Sequence, residues 1–358
     1  MSRSVREPET AERRRRYIVR MWNDRFSRRL DRRVMVILVV AIASAVGVGA
    51  YGMTLGSVPI PLPDIVTTLL GRGDGTYDLV VVNFRLPRVA VALLAGAALG
   101  LSGALFQSFA RNPLVAPDII GVNTGASLVA VAILVGFPGN QAFIPIGAFL
   151  GAIAAAAVVY LNARSGHLSP YRLVLIGIGV DVFCRAGVSY LLVQGESMRA
   201  QAAVRWMVGS LSHVDQTSMW FLLIALAVLV PLAVALRRPL EMMTLGDDTA
   251  RSLGVRLEPM RLAVLAVGVL LAAGAVAVCG PVGFVAFIAP HLARRLAATP
   301  GTAIFPVAAA LGALIFVVAD HLVQHVIPAS LPLGVITPLI GGPYFLFLLR
   351  RTSRREAT

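Results

Sequence analysis

Arg85-Leu86-Pro87-Arg88 opens an apolar run from Val89 to Phe106, which gives way to Arg111-Asn112-Pro113-Leu114 and then to Gly121-Val122-Asn123-Thr124-Gly125. Two arginines stand where a membrane face would lie, and roughly twenty residues later, one bilayer thickness of helix, a polar turn sends the chain back. Ala95, Gly96, Ala97, Ala98, Gly100, Ser102 and Gly103 fill the run. Small residues let helix backbones approach closely in a bilayer. A helix that faces only lipid has no need of them, so this one is predicted to lie among other transmembrane helices, with working surfaces at both ends.

The composition agrees. Hydrophobic residues make up 57% and charged residues 14% of the 358, with a mean hydropathy of +0.80. A soluble domain is roughly 45–50% apolar and about 25% charged. The net charge of +14 is concentrated at the termini, with +7 on residues 1–33 and +3 on residues 350–358. Strong basicity would suit nucleic acid, but here it flanks an apolar body, and arginine beside spans marks the cytoplasmic side. Residues 1–33 are therefore expected to form a cytoplasmic arm. Its Arg13 to Arg16, Tyr17, Trp22 and Phe26 suit a basic interfacial helix on anionic lipid or, equally, a disordered positive-inside signal. Cys184 and Cys279 fall in apolar runs, too few for a thiol metal site, and are expected to be packing residues.

Hydropathy divides residues 34–349 into ten spans, near 34–56, 86–109, 121–135, 143–161, 173–193, 219–236, 262–279, 282–293, 304–325 and 334–349. Ten spans place both arginine-rich tails on one side, together with Arg111, Arg164, Arg172 and the polar segment 237–261. Several spans are shorter than the roughly 20 residues a perpendicular helix needs, and Pro281 or Pro290 is expected to break the eighth. The other side receives a Pro- and Gly-rich loop over 57–83, with a short helix near 64–70, and a polar loop over 194–216. Arg88–Gly103 and Arg261–Gly280 are weakly alike and would run in opposite directions, as inverted repeats do.

Charge inside the apolar body is sparse. Asp181 and Arg185 stand four apart, on one helix face; at that depth charges pair with each other or line a cavity. Asp320, His321, Gln324 and His325 invite a metal reading, but no further ligand set accompanies them. Gln107, Asn112 and Asn123 surround the turn after the second span, where their amides line a path or cap helix ends.

These residues carry a family resemblance. Arg85 to Arg88, Ser102-Gly103-Ala104-Leu105-Phe106-Gln107, Arg111 to Leu114, Gly121 to Ala126, Leu245 to Arg251 with Leu253-Gly254, Gly280 to Val285, Pro290 to Arg295 and Leu331 to Thr337 resemble the FecCD family. That family comprises membrane permeases of ABC importers for iron-siderophore complexes, haem and vitamin B12. The matches run in family order from Arg85 to Arg351. Phe106-Gln107-Ser108, Asn123 to Ala126, Ile176 to Gly179 and Gly246 to Ala250 are most similar to the ferric-enterobactin permeases. The arginine-rich arm lies outside the shared pattern.

The resemblance implies an all-α polytopic fold of the type II ABC importer kind, set in the cell membrane with both termini cytoplasmic. It implies passage of a ferric siderophore, of catecholate type, into the cytoplasm. The implied partners are a second permease (identical or homologous), two ABC ATPase subunits inside and a siderophore-binding protein outside. No G-x-x-x-x-G-K-[ST] loop occurs in the chain, so ATP and Mg²⁺ are expected to be used by the separate ATPase, with no enzyme site, cofactor or metal on this chain.

By residue, the resemblance assigns ATPase coupling to Leu245, Gly246, Asp247, Asp248, Thr249, Ala250, Arg251, Leu253 and Gly254. A helix starting at Asp247-Asp248 has acids at its positive dipole end, and Gly254 suits its stop. On residues alone a solvated loop accounts for the segment equally well. Arg85 and Arg88 are assigned to docking of the binding protein's acidic side chains; interface snorkelling is the alternative. Gln107, Asn112, Pro113, Asn123, Asp181 and Arg185 are the candidates for the translocation path. The alternatives are an ion-coupled secondary transporter, which would use Asp181, Arg185, Asp320 and the ninth-span histidines, and an intramembrane enzyme, for which the sequence offers no paired catalytic constellation.

Overall fold

The computed structural model describes residues 16–21, 26–73, 75–137, 139–164, 170–298, 301–326 and 331–343. Its body is helical. The first span, α1 (Arg32–Thr54), is followed by the short α2 (Leu62–Leu69) and a single turn, α3 (Asp78–Val80). Next come α4 (Leu86–Ala110), α5 (Val122–Gly136), α6 (Ile144–Ala163), α7 (Pro170–Gln194), α8 (Ser197–Met207) and α9 (Gln216–Ala235). Two short helices, α10 (Arg237–Thr244) and α11 (Asp247–Ser252), precede α12 (Leu257–Cys279), α13 (Val285–Ala297) and α14 (Phe305–His325). A last apolar helix, α15, covers Leu333–Pro343. Among the described residues, seven helices are long and apolar enough to cross a membrane; with the shorter α5, α13 and α15 they coincide with the ten expected spans. Residues 344–349 of the tenth span, the tail 350–358 and the arm's residues 1–15 lie outside the described residues.

The bundle has an inside and an outside in the packing sense. Of the crossing segments, those containing α4 and α12 are 72% buried and that containing α14 is 67% buried, against 17% for α1 and α9 and 22% for α7. The small residues of α4 make this possible. A Cβ added at Gly96 would stand 2.4 Å from the Gly312 carbonyl oxygen, at Gly100 2.2 Å from that of Ala308, and at Gly103 1.7 Å from that of Ala286. One face of α4 therefore packs backbone to backbone on α14, and the next turn does the same on α13, the small-residue mode of membrane helices.

Several boundaries depart from expectation. The helix leading into α4 begins at Asp78 rather than Leu86, and its Val81–Arg85 turn is π-helical. Pro87 offers no N–H to the preceding turn, and the wider π turn accommodates that loss. The eighth span is broken at its start: Gly280 and Phe284 both have positive φ, and helix resumes only at Val285. Of the two prolines expected to break it, Pro281 sits in the unwound stretch while Pro290 lies inside α13. The short helix near 64–70 is present as α2, whereas α8, in the polar loop, and α10 were not anticipated.

The arm also differs. Its described part is not a helix but an antiparallel pair, β1 (Arg16–Met21) and β2 (Phe26–Asp31), with Arg16 opposite Asp31 and Met21 opposite Phe26. The β-branched and aromatic Tyr17, Ile18, Val19 and Phe26 favour strand over helix there. Both cysteines are free and buried, as packing residues should be.

Candidate functional sites at the two ends and along one face

At one end of the bundle, the start of α4 meets the end of α14. Arg88 donates from Nε to Asp320 Oδ2 at 3.2 Å and from Nη2 to Oδ1 at 2.8 Å. Gln324 Nε2 donates to the same carboxylate at 2.6 Å. The Asp320 side chain is only 4% exposed and that of Arg88 24%, so the charge-assisted bidentate pair is largely sealed. Arg85 donates through Nη1 and Nη2 to the carbonyls of Met53 and Val58, fastening the loop after α1. Both arginines, expected as outward-facing docking groups, are thus engaged within the chain. The fold supplies the reason, because it brings the ninth span's one carboxylate to the second span's first turn.

These side chains border a cavity of about 410 Å³ that His321 and His325 also line. The two imidazoles stack with centroids 4.9 Å apart. Asp320 is committed to Arg88 and Gln324, and among the described residues no three His, Cys, Asp or Glu side chains come together to hold a metal.

At the opposite end, Asp247 is the meeting point. It opens α11 directly after Gly246, whose φ of +111° favours glycine. Arg261, on the first turns of α12 and 8% exposed, donates to Asp247 Oδ2 at 2.6 Å and to Glu258 at 3.3 Å. Arg111, which ends α4 in the left-handed conformation (φ 52°), donates to Asp247 Oδ1 at 3.3 Å and to the Met243 carbonyl of α10. Glu241 of α10 accepts from the Thr302 N–H at 3.2 Å, and from its hydroxyl, just ahead of α14. The expected helix start at Asp247 and the positive-φ Gly254 beyond Ser252 are both present. Asp248, Leu245 and Leu253 face outward, with Leu245 65% and Leu253 54% exposed.

Partial burial opposes the Asp247 charge, but the Arg261 hydrogen bond and the charges of Arg261, Arg111 and Arg251 outweigh it and hold the carboxyl below its usual range. A depressed folded value means a tie fully present above the unfolded value of about 3.9 and lost only as pH falls through the depressed one. Lowering the pH from 7 to 5 should therefore leave this end intact, which protease protection of the 237–261 segment would report.

Along the α7 face, Arg185 Nε donates to Asp181 at 2.7 Å. The intrahelical pair is formed, yet Arg185 remains 69% exposed. Nearby, Asn123 Nδ2 donates to Asp118 at 2.8 Å. Nothing local in the sequence singles out Asp118, which sits in a one-turn 3₁₀ segment, Pro117–Ile120, with no charge partner close in sequence. That segment packs against α7 where a Cβ on Gly177 would lie 2.1 Å from the Ile119 carbonyl oxygen. Gln107 is 3% exposed; its Nε2 donates to the Phe287 carbonyl at 3.1 Å and its Oε1 accepts from Arg294, joining α4 to α13. Asn112 accepts from the Leu114 N–H at 2.9 Å, a local turn cap beside the exposed Pro113.

The chain matches the family model of the FecCD transport family over residues 34–351. It belongs to that family. The FecCD chain is 37% identical over 330 residues to the ferric enterobactin transport system permease protein FepG of Escherichia coli, covering 91% of this chain and 99% of that protein. It is 36% identical to the Fe(3+)-citrate import system permease protein YfmE of Bacillus subtilis, over 90% of this chain and 94% of that one. Among solved structures, an inward-facing conformation of a putative metal-chelate type ABC transporter superposes with a TM-score of 0.79 at 28% identity, covering 88% of this chain and 99% of that one. The FecCD protein is thus a multi-pass membrane permease of the ABC importer class.

Proposed function

We propose that this FecCD permease carries a ferric chelate of the catecholate, enterobactin-like kind into the cytoplasm, as one of two permease subunits around a shared path. One observation carries the paired arrangement. Arg185 sits midway along the apolar α7, a 25-residue helix, and is 69% exposed. A charge at that depth does not face hydrocarbon, so this face needs protein or water beside it. A second permease across a water-filled path provides both, with Asp181, Arg185 and the Asp118–Asn123 pair along the wall. Gln107, Asn112 and Pro113 serve as the frame of the inner turn.

ATP and Mg²⁺ are used by two partner ATPases, which dock on Leu245, Asp248, Thr249 and Leu253 at the Asp247 end. That end is cytoplasmic, with both termini, on the arginine distribution. The binding protein docks at the Asp320 end, where an acidic side chain competes with Asp320 for Arg88. The substrate class is supported by the resemblance to FepG; ferric citrate and haem are the alternatives, since YfmE and the hemin permease HmuU of Yersinia pestis are also similar.

The decisive experiment purifies the chain with its ATPase and binding protein and measures uptake of ferric enterobactin, ferric citrate and haem into liposomes. ATP-dependent uptake that survives ionophores, with ferric enterobactin preferred, is the expected result. Uptake that collapses with the ion gradient while ATP is held would sink the importer reading in favour of a secondary transporter. Leu253→Asp is expected to release the ATPase and reduce uptake at least tenfold, which co-purification and the same assay check.

A further inference from the structure

The coupling segment is fastened to a particular set of helices. Arg111 ends α4, Arg261 opens α12, and Thr302 stands just ahead of α14, so the three partners belong to the three most buried crossing segments. Arg111 joins the segment twice, at the Met243 carbonyl of α10 and at Asp247 of α11, and so closes the corner between the two short helices. Asp247 has one carboxylate oxygen on each arginine: Oδ2 on Arg261 and Oδ1 on Arg111. Its neighbour is placed oppositely. Asp248 is fully exposed and its hydrogen-bonded partner is Arg251, three residues on.

We propose that Asp247, Arg111 and Arg261 form a joint that positions α11 against α4 and α12, and that Asp247 acts through this joint rather than by touching the ATPase. The assignment rests on the importer reading above. The Asp247 side chain is still 38% exposed, but both its oxygens are engaged on arginines of the bundle, whereas Asp248, fully exposed, projects toward a partner together with Leu245 and Leu253. A push on α11 is then delivered to α4 and α12 through two charge-assisted contacts, while the adjoining α10 reaches the start of α14 through Glu241. The joint needs a carboxylate for a specific reason. An amide in its place presents one acceptor and one NH₂, so one of the two guanidinium groups would face a donor instead of an acceptor.

The test compares wild type, Asp247→Asn and Arg111→Gln in the complete transporter, reconstituted in liposomes with ferric enterobactin as the probe. Three quantities are read: ATPase retained on the permease, ATP hydrolysed, and chelate taken up per ATP. Asp247→Asn is expected to keep the ATPase at wild-type stoichiometry while uptake per ATP falls tenfold or more; Arg111→Gln should fall in the same direction by a smaller factor. Asp247→Glu should restore part of the ratio. A role in folding alone would reduce the amount assembled but leave uptake per ATP in the assembled fraction unchanged, and that result overturns the joint. Loss of the ATPase from Asp247→Asn also overturns it, because Asp247 would then be a contact. If Asp247→Asn fails to fold, Arg111→Gln decides on the same ratio. A wild-type chain that neither retains an ATPase nor imports with ATP would instead refute the importer reading itself.

Discussion

Gly103→Val should leave little or no folded transporter in the membrane. A Cβ at this position would stand 1.7 Å from the Ala286 carbonyl oxygen, 2.6 Å from its carbon and 3.0 Å from its Cα. All three are backbone atoms of α13, so no rotamer change relieves the clash and the helices must separate. Overpacking a core ordinarily costs about 1–3 kcal/mol. Here the separation would also strip the Gln107 hydrogen bond to the Phe287 carbonyl one turn later, so the upper end of that range is the minimum expected. Gly47 and Gly179 supply the contrast, since a Cβ added at either meets nothing within 4 Å. Alanine at those two positions should extract from membranes in wild-type yield. The measurement is the fraction of monodisperse protein after detergent extraction, with the thermal midpoint; Gly103→Val behaving like wild type would contradict the packing described above.

The second large effect concerns Arg88 and Asp320, and it is asymmetric. Removing one partner of a sealed ion pair costs about 3–5 kcal/mol, because the other charge stays behind unpaired. Which partner is removed matters. Asp320 is 4% exposed, so Arg88→Met leaves a carboxylate with only Gln324 to satisfy it. Arg88 is 24% exposed, and after Asp320→Leu its long side chain can reach toward water at the bundle end. Arg88→Met is therefore expected to be the more destabilising, and the double variant Arg88→Met with Asp320→Leu milder than Arg88→Met alone. Thermal unfolding of the four proteins in one detergent gives the cycle. A double variant as unstable as the sum of the singles would show that the pair is not coupled.

Much of the architecture was readable in the chain because hydrophobicity is a local signal. The spans, the crowded helix and the start and stop of α11 all follow from residues close together in sequence. What was not readable is pairing across distance. Arg88 and Asp320 are separated by 232 positions and Arg111 and Asp247 by 136, and nothing local in either residue specifies the other. A weaker signal did exist: topology places the start of the second span and the end of the ninth at the same face, and each carries a charge of opposite sign. Short helices such as α8 and α10 escaped because two or three turns of mostly polar sequence give too little apolar periodicity to stand out, and the β1–β2 pair because arginine-rich composition masked its strand formers.

The engaged arginines at the two ends of α4 carry a mechanical consequence. Arg88 is anchored to α14 and Arg111 to the coupling segment, and the helix between them extends about 35 Å at 1.5 Å per residue. Its middle is wedged against backbone on two sides, so it has little freedom to bend or to absorb a shift along its axis. Under the proposed function, α4 is a strut: strain applied at the face that receives cargo arrives, nearly undiminished, at the face where fuel is consumed. Signalling across the bilayer would then require no moving ion and no relay of titrating groups, only a stiff member fixed at both ends.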